Sequence, residues 1–249
     1  MRRSVVICEG STDFALLQYY LRKALSWEDA PRGRQGETIR FQRQRSRLLV
    51  RDGGELTLVA AGGAGNIHKV LELVLTRMRQ GGPDGSDAYD NVVVVTDRDD
   101  DDTEKMMLGR LSATLDEGGA RGEFALACGE WSQYVVKTRL GLEVPFRMNV
   151  LFVPTEGNGA METFLLDAVG RRDPYDGAIV ARCKDFVDGA DPERRYLTKR
   201  GYVTKAVFDA FFSIRTTVDQ FAERQRVLLS VDWENYAAVN EGFSVLAEL

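Results

Sequence analysis

Two short apolar runs, each closing on a carboxylate, constrain this chain more than anything else in it. The first is Ser4-Val5-Val6-Ile7-Cys8 followed by Glu9-Gly10-Ser11-Thr12-Asp13, and the second is Asn91-Val92-Val93-Val94-Val95-Thr96 followed by Asp97-Arg98-Asp99. Apolar runs of this length suit strands covered on both faces by helices, as in a parallel sheet. In such a sheet ligands collect in the crevice outside the carboxyl ends of the strands. If the two runs are neighbours, Glu9, Asp13, Asp97 and Asp99 gather there. Carboxylates that close repel one another unless they are protonated or bridged by cations. A hard, all-oxygen set with no soft partner points to Mg²⁺ or Mn²⁺.

The pattern along the chain alternates strands with helices. The expected elements are a strand over 4–8, a helix over 12–25, one or two strands over 37–51, and a strand over 56–60 ending in Ala61-Gly62-Gly63. A helix over 67–80, a loop over 81–85, a strand over 91–96, a helix over 103–115, a strand over 148–153 and a helix over 160–169 follow. The stretch 118–147 carries no clear period, and beyond Gly170 the chain turns polar with helical candidates at 204–214, 217–226 and 232–239. This predicts an α/β domain over 1–170, with an Arg-rich insertion at about 31–51, and a mostly helical extension over 171–249 packed on it. At 249 residues either one large domain or a domain with an appendage is reasonable.

Composition removes several function classes. No run approaches the ~20 apolar residues of a membrane span, and Met1-Arg2-Arg3 leads straight into a strand, so neither a membrane partner nor a secretory signal is expected. Cys8, Cys128 and Cys183 are scattered without a C-x-x-C, which fits a reducing cytoplasm. A single histidine, His68, argues against a zinc site or a Ser-His-Asp triad, and helix surface suits it better.

The net charge of -5 hides an uneven distribution. Residues 97–104 hold six acids against Arg98, whereas residues 31–51 hold seven arginines against Glu37. A second basic cluster comprises Arg194, Arg195, Lys199, Arg200 and Lys205. Basic patches beside an acidic pocket suit a polyanion held over bound cations, and nucleic acid is the expected one. On a strand, Arg43, Arg45 and Arg47 would share a face and line a phosphate track. The plainer alternative is an arginine-studded edge strand that blocks edge pairing. Association of copies into a homo-oligomer stays open.

Glu9-Gly10-x-x-Asp13 and Asp97-x-Asp99, each at a strand end, resemble the TOPRIM domain, and Ala61-Gly62-Gly63 with Gly159-Ala160-Met161-Glu162 resembles the OLD-family nucleases within it. The resemblance covers about residues 4–215 and implies a Rossmann-like TOPRIM fold with a mainly parallel central sheet and a C-terminal helical extension. It implies a Mg²⁺- or Mn²⁺-dependent nuclease, DNA ahead of RNA, with Glu9, Asp13, Asp97, Asp99 and Glu162 as metal ligands. Glu9 and Lys205 would be catalytic, and Lys199, Arg43, Arg45 and Arg47 would contact nucleic acid. Ala160 stands where family members often carry serine, which leaves one ion or two undecided.

Two rivals remain. A TOPRIM fold can grip nucleic acid or a protein without cleaving, and Asp97-x-Asp99 also fits a phosphatase or phosphotransferase acting on small phosphates.

Overall fold

The two carboxylate-tipped runs form neighbouring parallel strands. β1 (Arg2–Cys8) pairs with β5 (Asn91–Asp97) with Cys8 level with Val95, so Glu9 and the Thr96-Asp97 pair leave the sheet side by side. β4 (Gly54–Ala60) flanks β1 with Ala60 level with Cys8, and β8 (Glu143–Val153) flanks β5 with Val153 level with Asp97. All four carboxyl ends therefore lie along one rim. This computed structural model describes residues 1–81, 88–216 and 231–249. The expected helix over 217–226 lies outside the described residues, as do positions 82–85 of the expected loop.

Outside this parallel centre the chain reverses direction. β3 (Ser46–Arg51) runs antiparallel on β4 and carries β2 (Glu28–Asp29), while β7 (Ser132–Lys137) runs antiparallel on β8 and carries β6 (Ala120–Gly122). The sheet has eight strands in the order β2-β3-β4-β1-β5-β8-β7-β6. It is thus mixed, where the sequence led us to expect a mainly parallel one, and the connections explain why. β3 and β4 are joined by Asp52-Gly53, with Gly53 at φ 76°, and β7 and β8 by a short turn with Gly141 at φ 82°. Links so tight permit only antiparallel neighbours, whereas parallel pairing needs a crossover.

Six helices of ten residues or more are described: α1 (Ser11–Ala24), α2 (Ile67–Gln80), α3 (Thr103–Glu117), α4 (Met161–Arg172), α5 (Pro174–Ala190) and α6 (Arg200–Arg215). Because side chains alternate along a strand, Val6, Cys8, Val93 and Val95 join an apolar cluster with α1, α4, α5 and α6. Val5, Ile7, Val92 and Val94 join a second cluster with α2 and α3. The central strands are covered on both faces, which is why they read as unbroken apolar runs.

The expected helix over 232–239 is instead a 3-10 turn, Trp233–Asn235, and a short helix, Ala237–Gly242. α5 had a legible start that the periodicity did not reveal: Asp173 accepts the Tyr175 amide at 2.9 Å, with Pro174 in the first turn.

The arginine-rich stretch differs from expectation. Pro31, Gly33 and Gly36 accompany a 3-10 turn at Arg32–Glu37, and the strand begins only at Ser46. Arg43 and Arg45 precede it, so they share no strand face with Arg47. Arg47 Nε lies 3.4 Å from Asp29 Oδ1, and Arg51 stands 4.6 Å over the Trp27 ring while donating to the Leu25 carbonyl. Since β2 lies outside β3, the latter is not an edge strand either.

Trp233 is fully buried, with ring centroids 5.3 Å from Tyr236 and 6.3 Å from Phe212. Trp233→Ala is expected to cost about 3–5 kcal/mol through the cavity it leaves. Urea titration checks this: the midpoint should fall with an unchanged slope.

Candidate functional site

The rim where β1, β4, β5 and β8 end gathers the acidic residues. Glu9 follows β1 directly, and its main-chain carbonyl accepts the Gly63 amide at 2.8 Å. The Gly62-Gly63 turn, at φ 77° and 125°, allows this approach. Its tightness shows at Gly62, where an added Cβ would meet Gln44 Nε2 at 2.5 Å. Thr96 donates its hydroxyl to Glu9 Oε2 at 3.2 Å.

Asp13 is the third residue of α1, and its Oδ2 accepts the Gly10 amide at 2.7 Å, one half of a capping box. Asp97 ends β5, and its Oδ1 accepts the Met161 amide at 3.0 Å, at the first residue of α4. Ala160, which starts that helix, has no side-chain acceptor for it. Thr163 takes the Ala160 amide at 3.3 Å and Asp97 takes the next one. The carboxylates thus rest against the positive ends of two helix dipoles.

Glu162, in the first turn of α4, is 3% exposed. Its charge acts on both Asp13 and Asp97. Burial raises the Asp97 carboxyl first, then the charges of Asp13, Glu9 and Glu162 lift it further, up to about 9 against the pull of the Met161 amide. Burial likewise raises Asp13 to about 7; the Gly10 amide and Lys205 pull it down while Glu9 and Glu162 push it up. Glu9 is raised, again chiefly by burial, with the Asp97 amide holding it down and the Asp99 charge lifting it.

Glu9, Asp13, Asp97 and Glu162 therefore form one electrostatically coupled group, with Lys205 near enough to be felt at Asp13. Asp99 is exposed at the mouth, where its carbonyl accepts from Arg200 of α6. Lys199 starts α6, with its ammonium 5.8 Å from the Tyr202 ring. Arg45 lies at the same rim, its carbonyl accepting the Ala60 amide at 3.0 Å, and Arg43 sits in the turn before it. Arg47 faces Asp29 instead. His68 lies half-buried on α2, away from these acids.

The donor set is all oxygen and suits a hard divalent cation. Yet among the described residues no three His, Cys, Asp or Glu side chains stand at metal-holding spacing. Asp13 and Asp97 each turn one oxygen to a backbone amide, which leaves the other oxygen of each without that partner. Thr96 and the Met161 amide are parts of the site that motif reasoning missed. Thr96 had a signal, a polar residue closing a run of four valines.

A carboxylate whose pKa is higher in the folded state than in the unfolded chain stabilises the fold at low pH. That contribution is complete below ~4 and is lost as pH rises through the folded-state values, here about 7 for Asp13 and about 9 for Asp97. In chelator, the protein should therefore lose stability between those limits. Asp97→Asn keeps an acceptor for the Met161 amide and removes the charge. It should melt at least ~2 °C above the parent near pH 9, with a much smaller gap near pH 5, as followed by thermal scans.

No family model matches the chain, and no curated protein matches it. Among solved structures it is similar to hypothetical protein PH0156 from Pyrococcus horikoshii OT3, at 19% identity over 99% of this chain and 100% of that one, with a TM-score of 0.48. It is also similar to a glyoxylase/bleomycin resistance protein/dioxygenase domain from Frankia sp. EAN1pec, at 13% identity over 59% of this chain and 89% of that one, TM-score 0.18. For lactoylglutathione lyase from Agrobacterium tumefaciens the figures are 9%, 59% and 92%, with a TM-score of 0.17. Likeness at these scores carries no argument about fold or activity.

Proposed function

We propose that this protein is a divalent-metal-dependent hydrolase of nucleic-acid phosphodiesters, with a Rossmann-like TOPRIM arrangement of the OLD type. The observation that carries this reading is the coupling of Glu9, Asp13, Asp97 and Glu162 at the rim of a parallel four-strand centre, with Lys205 in electrostatic reach. The order of the motifs along the chain supports it. Three acids whose carboxyls are raised chiefly by burial, beside a buried fourth, Glu162, are costly to the fold, and clusters of that kind mark functional sites.

Glu9, Asp13, Asp97 and Glu162 would hold the cation, with Asp99 at the mouth. A bound Mg²⁺ or Mn²⁺ would polarise the phosphoryl oxygen and acidify an attacking water. Glu9, with a raised pKa and an oxygen not used by Thr96, is suited to take the proton that water releases. Lys205 would offset charge growing on the phosphoryl oxygens. Arg43, Arg45 and Lys199 are candidate phosphate contacts around the rim, and Arg47 is a weaker one because Asp29 already engages it.

A second reading, a module that grips nucleic acid or a partner without cleaving, is favoured by the absence of a converged trio among the described residues. Cleavage assays separate the two. With Mn²⁺ or Mg²⁺ and single-stranded, duplex and plasmid substrates, the parent should cleave. Asp97→Asn should lower the rate by at least ~100-fold while keeping the fold, and Lys205→Ala by ~10–100-fold. A parent inert on every substrate and metal would favour the gripping module.

A further inference from the structure

The stretch 194–208 contains Arg194, Arg195, Lys199, Arg200 and Lys205 without a single acid, in a chain whose net charge is -5. Arg194 is paired with Asp188 at 3.1 Å, but no ion pair to Arg195, Lys199 or Lys205 occurs among the described residues. Interleaved with these cations stand two solvent-facing aromatic rings, Tyr196 at 72% and Tyr202 at 48% exposure. The Arg195 guanidinium lies 5.5 Å from the Tyr196 ring centroid, and the Lys199 ammonium 5.8 Å from that of Tyr202. Two exposed rings interleaved with a row of cations offer flat faces beside positive charge, which suits a ligand with flat faces and negative charge.

The chain between them borders a groove of about 540 Å³. Its apolar lining is Leu166, Leu197, Val203 and Val207, and its charged lining is Lys184, Lys199, Arg200 and the Arg194–Asp188 pair. Thr163, next to Glu162, also lines it, and Arg200 reaches from it to the Asp99 carbonyl. Through Thr163 and Arg200 the groove thus lies beside the acidic site. The turn that presents Tyr196 is fixed by one carboxylate: Asp191 accepts the amides of Arg195, Tyr196 and Leu197 at 2.9, 2.9 and 2.7 Å. The backbone that carries the ring is held before any ligand arrives, which limits the ordering cost of binding.

We infer that the groove between α4, α5 and α6, together with Tyr196 and Tyr202 on the segment that borders it, binds unpaired nucleic acid and leads a single strand toward the carboxylate site. A paired duplex buries its base faces and offers nothing to a tyrosine ring, whereas an unpaired strand presents alternating bases and phosphates. Stacking on aromatic rings combined with a cationic track is how sequence-tolerant single-strand binding is achieved. This names the substrate class of the proposed hydrolase and rests on that reading only for the direction in which the strand is led.

Fluorescence anisotropy of the full chain in EDTA tests the inference, using a labelled oligo-dT of ~20 nucleotides, a blunt duplex of the same length and linear polyphosphate as a polyanion without bases. The oligo-dT should bind at least ~10-fold tighter than either competitor at moderate salt. The double variant Tyr196→Ala, Tyr202→Ala should lose at least ~10-fold toward oligo-dT with an unchanged salt slope, and phenylalanine at both positions should restore it. Arg195→Gln with Lys199→Gln should flatten the log-log salt slope by ~1.4, about 0.7 per single-strand contact. Equal affinity for duplex, or indifference to the tyrosine changes, would overturn the inference.

Hydrolysis of bis(p-nitrophenyl) phosphate with Mn²⁺ keeps the two readings apart, because so small a diester needs no groove. Hydrolysis without a tyrosine effect on binding leaves the hydrolase and removes the single-strand track. Tyrosine-dependent binding without hydrolysis of any diester leaves the track and removes the hydrolase.

Discussion

Repulsion among four acids at one rim is the constraint around which the rest of the structure is arranged. Glu9 follows β1, and Asp13, Asp97 and Glu162 are drawn from α1, β5 and α4; Asp13 and Asp97 are lifted well above ordinary carboxylate pKa values and Glu9 is raised, chiefly by burial. The fold answers with backbone amides. Gly10 and Met161 donate from the starts of α1 and α4, and the amides of Asp97 and Ala64 serve Glu9. Each amide belongs to a helix start or a strand end, so the electrostatics and the topology cannot be separated: moving a strand by one residue would take an amide from its acid.

This arrangement also gives Ala160 a meaning that the motif alone does not. A serine there would cap α4 with its own hydroxyl. With alanine no N-cap side chain accepts from the helix, and Thr163 and Asp97 accept the amides of Ala160 and Met161 at 3.3 and 3.0 Å. One carboxylate oxygen of the site is thereby committed to holding a helix.

The sequence made the middle of the molecule legible and the periphery much less so. The apolar runs at Val5–Cys8 and Val92–Val95 are buried on both faces, so their composition alone declares them central strands. α2 follows the expected span because Val70, Leu71, Val74 and Met78 repeat at helical spacing on a face packed against the sheet. The outer strands β6 and β7 alternate over only a few residues, too short for a period to emerge. The arginine stretch misled because alternation of Arg with Gln and Ser over 43–47 mimics a strand, whereas Gln42 sits at φ 52°, a turn conformation. Of the site, the acids could be found by their place after apolar runs. The amides that hold them could not, since any residue supplies one.

The residues that act on one another at the rim stand at positions 9, 13, 97, 162 and 205 of the chain. β1 meets β5 only after some eighty residues have been added between them, and α6 arrives later still. Long separations of this kind are slow to close and are formed late. During synthesis, then, the first strand and its glutamate leave the ribosome long before anything can confront them. Asp97 can face Glu9 and Asp13 only once β5 has been made, Glu162 joins with α4, and the last third of the polypeptide adds Lys205. A chain that has not yet reached β5 is spared the repulsion, and one that has not yet reached α6 lacks the cation that answers it at Asp13.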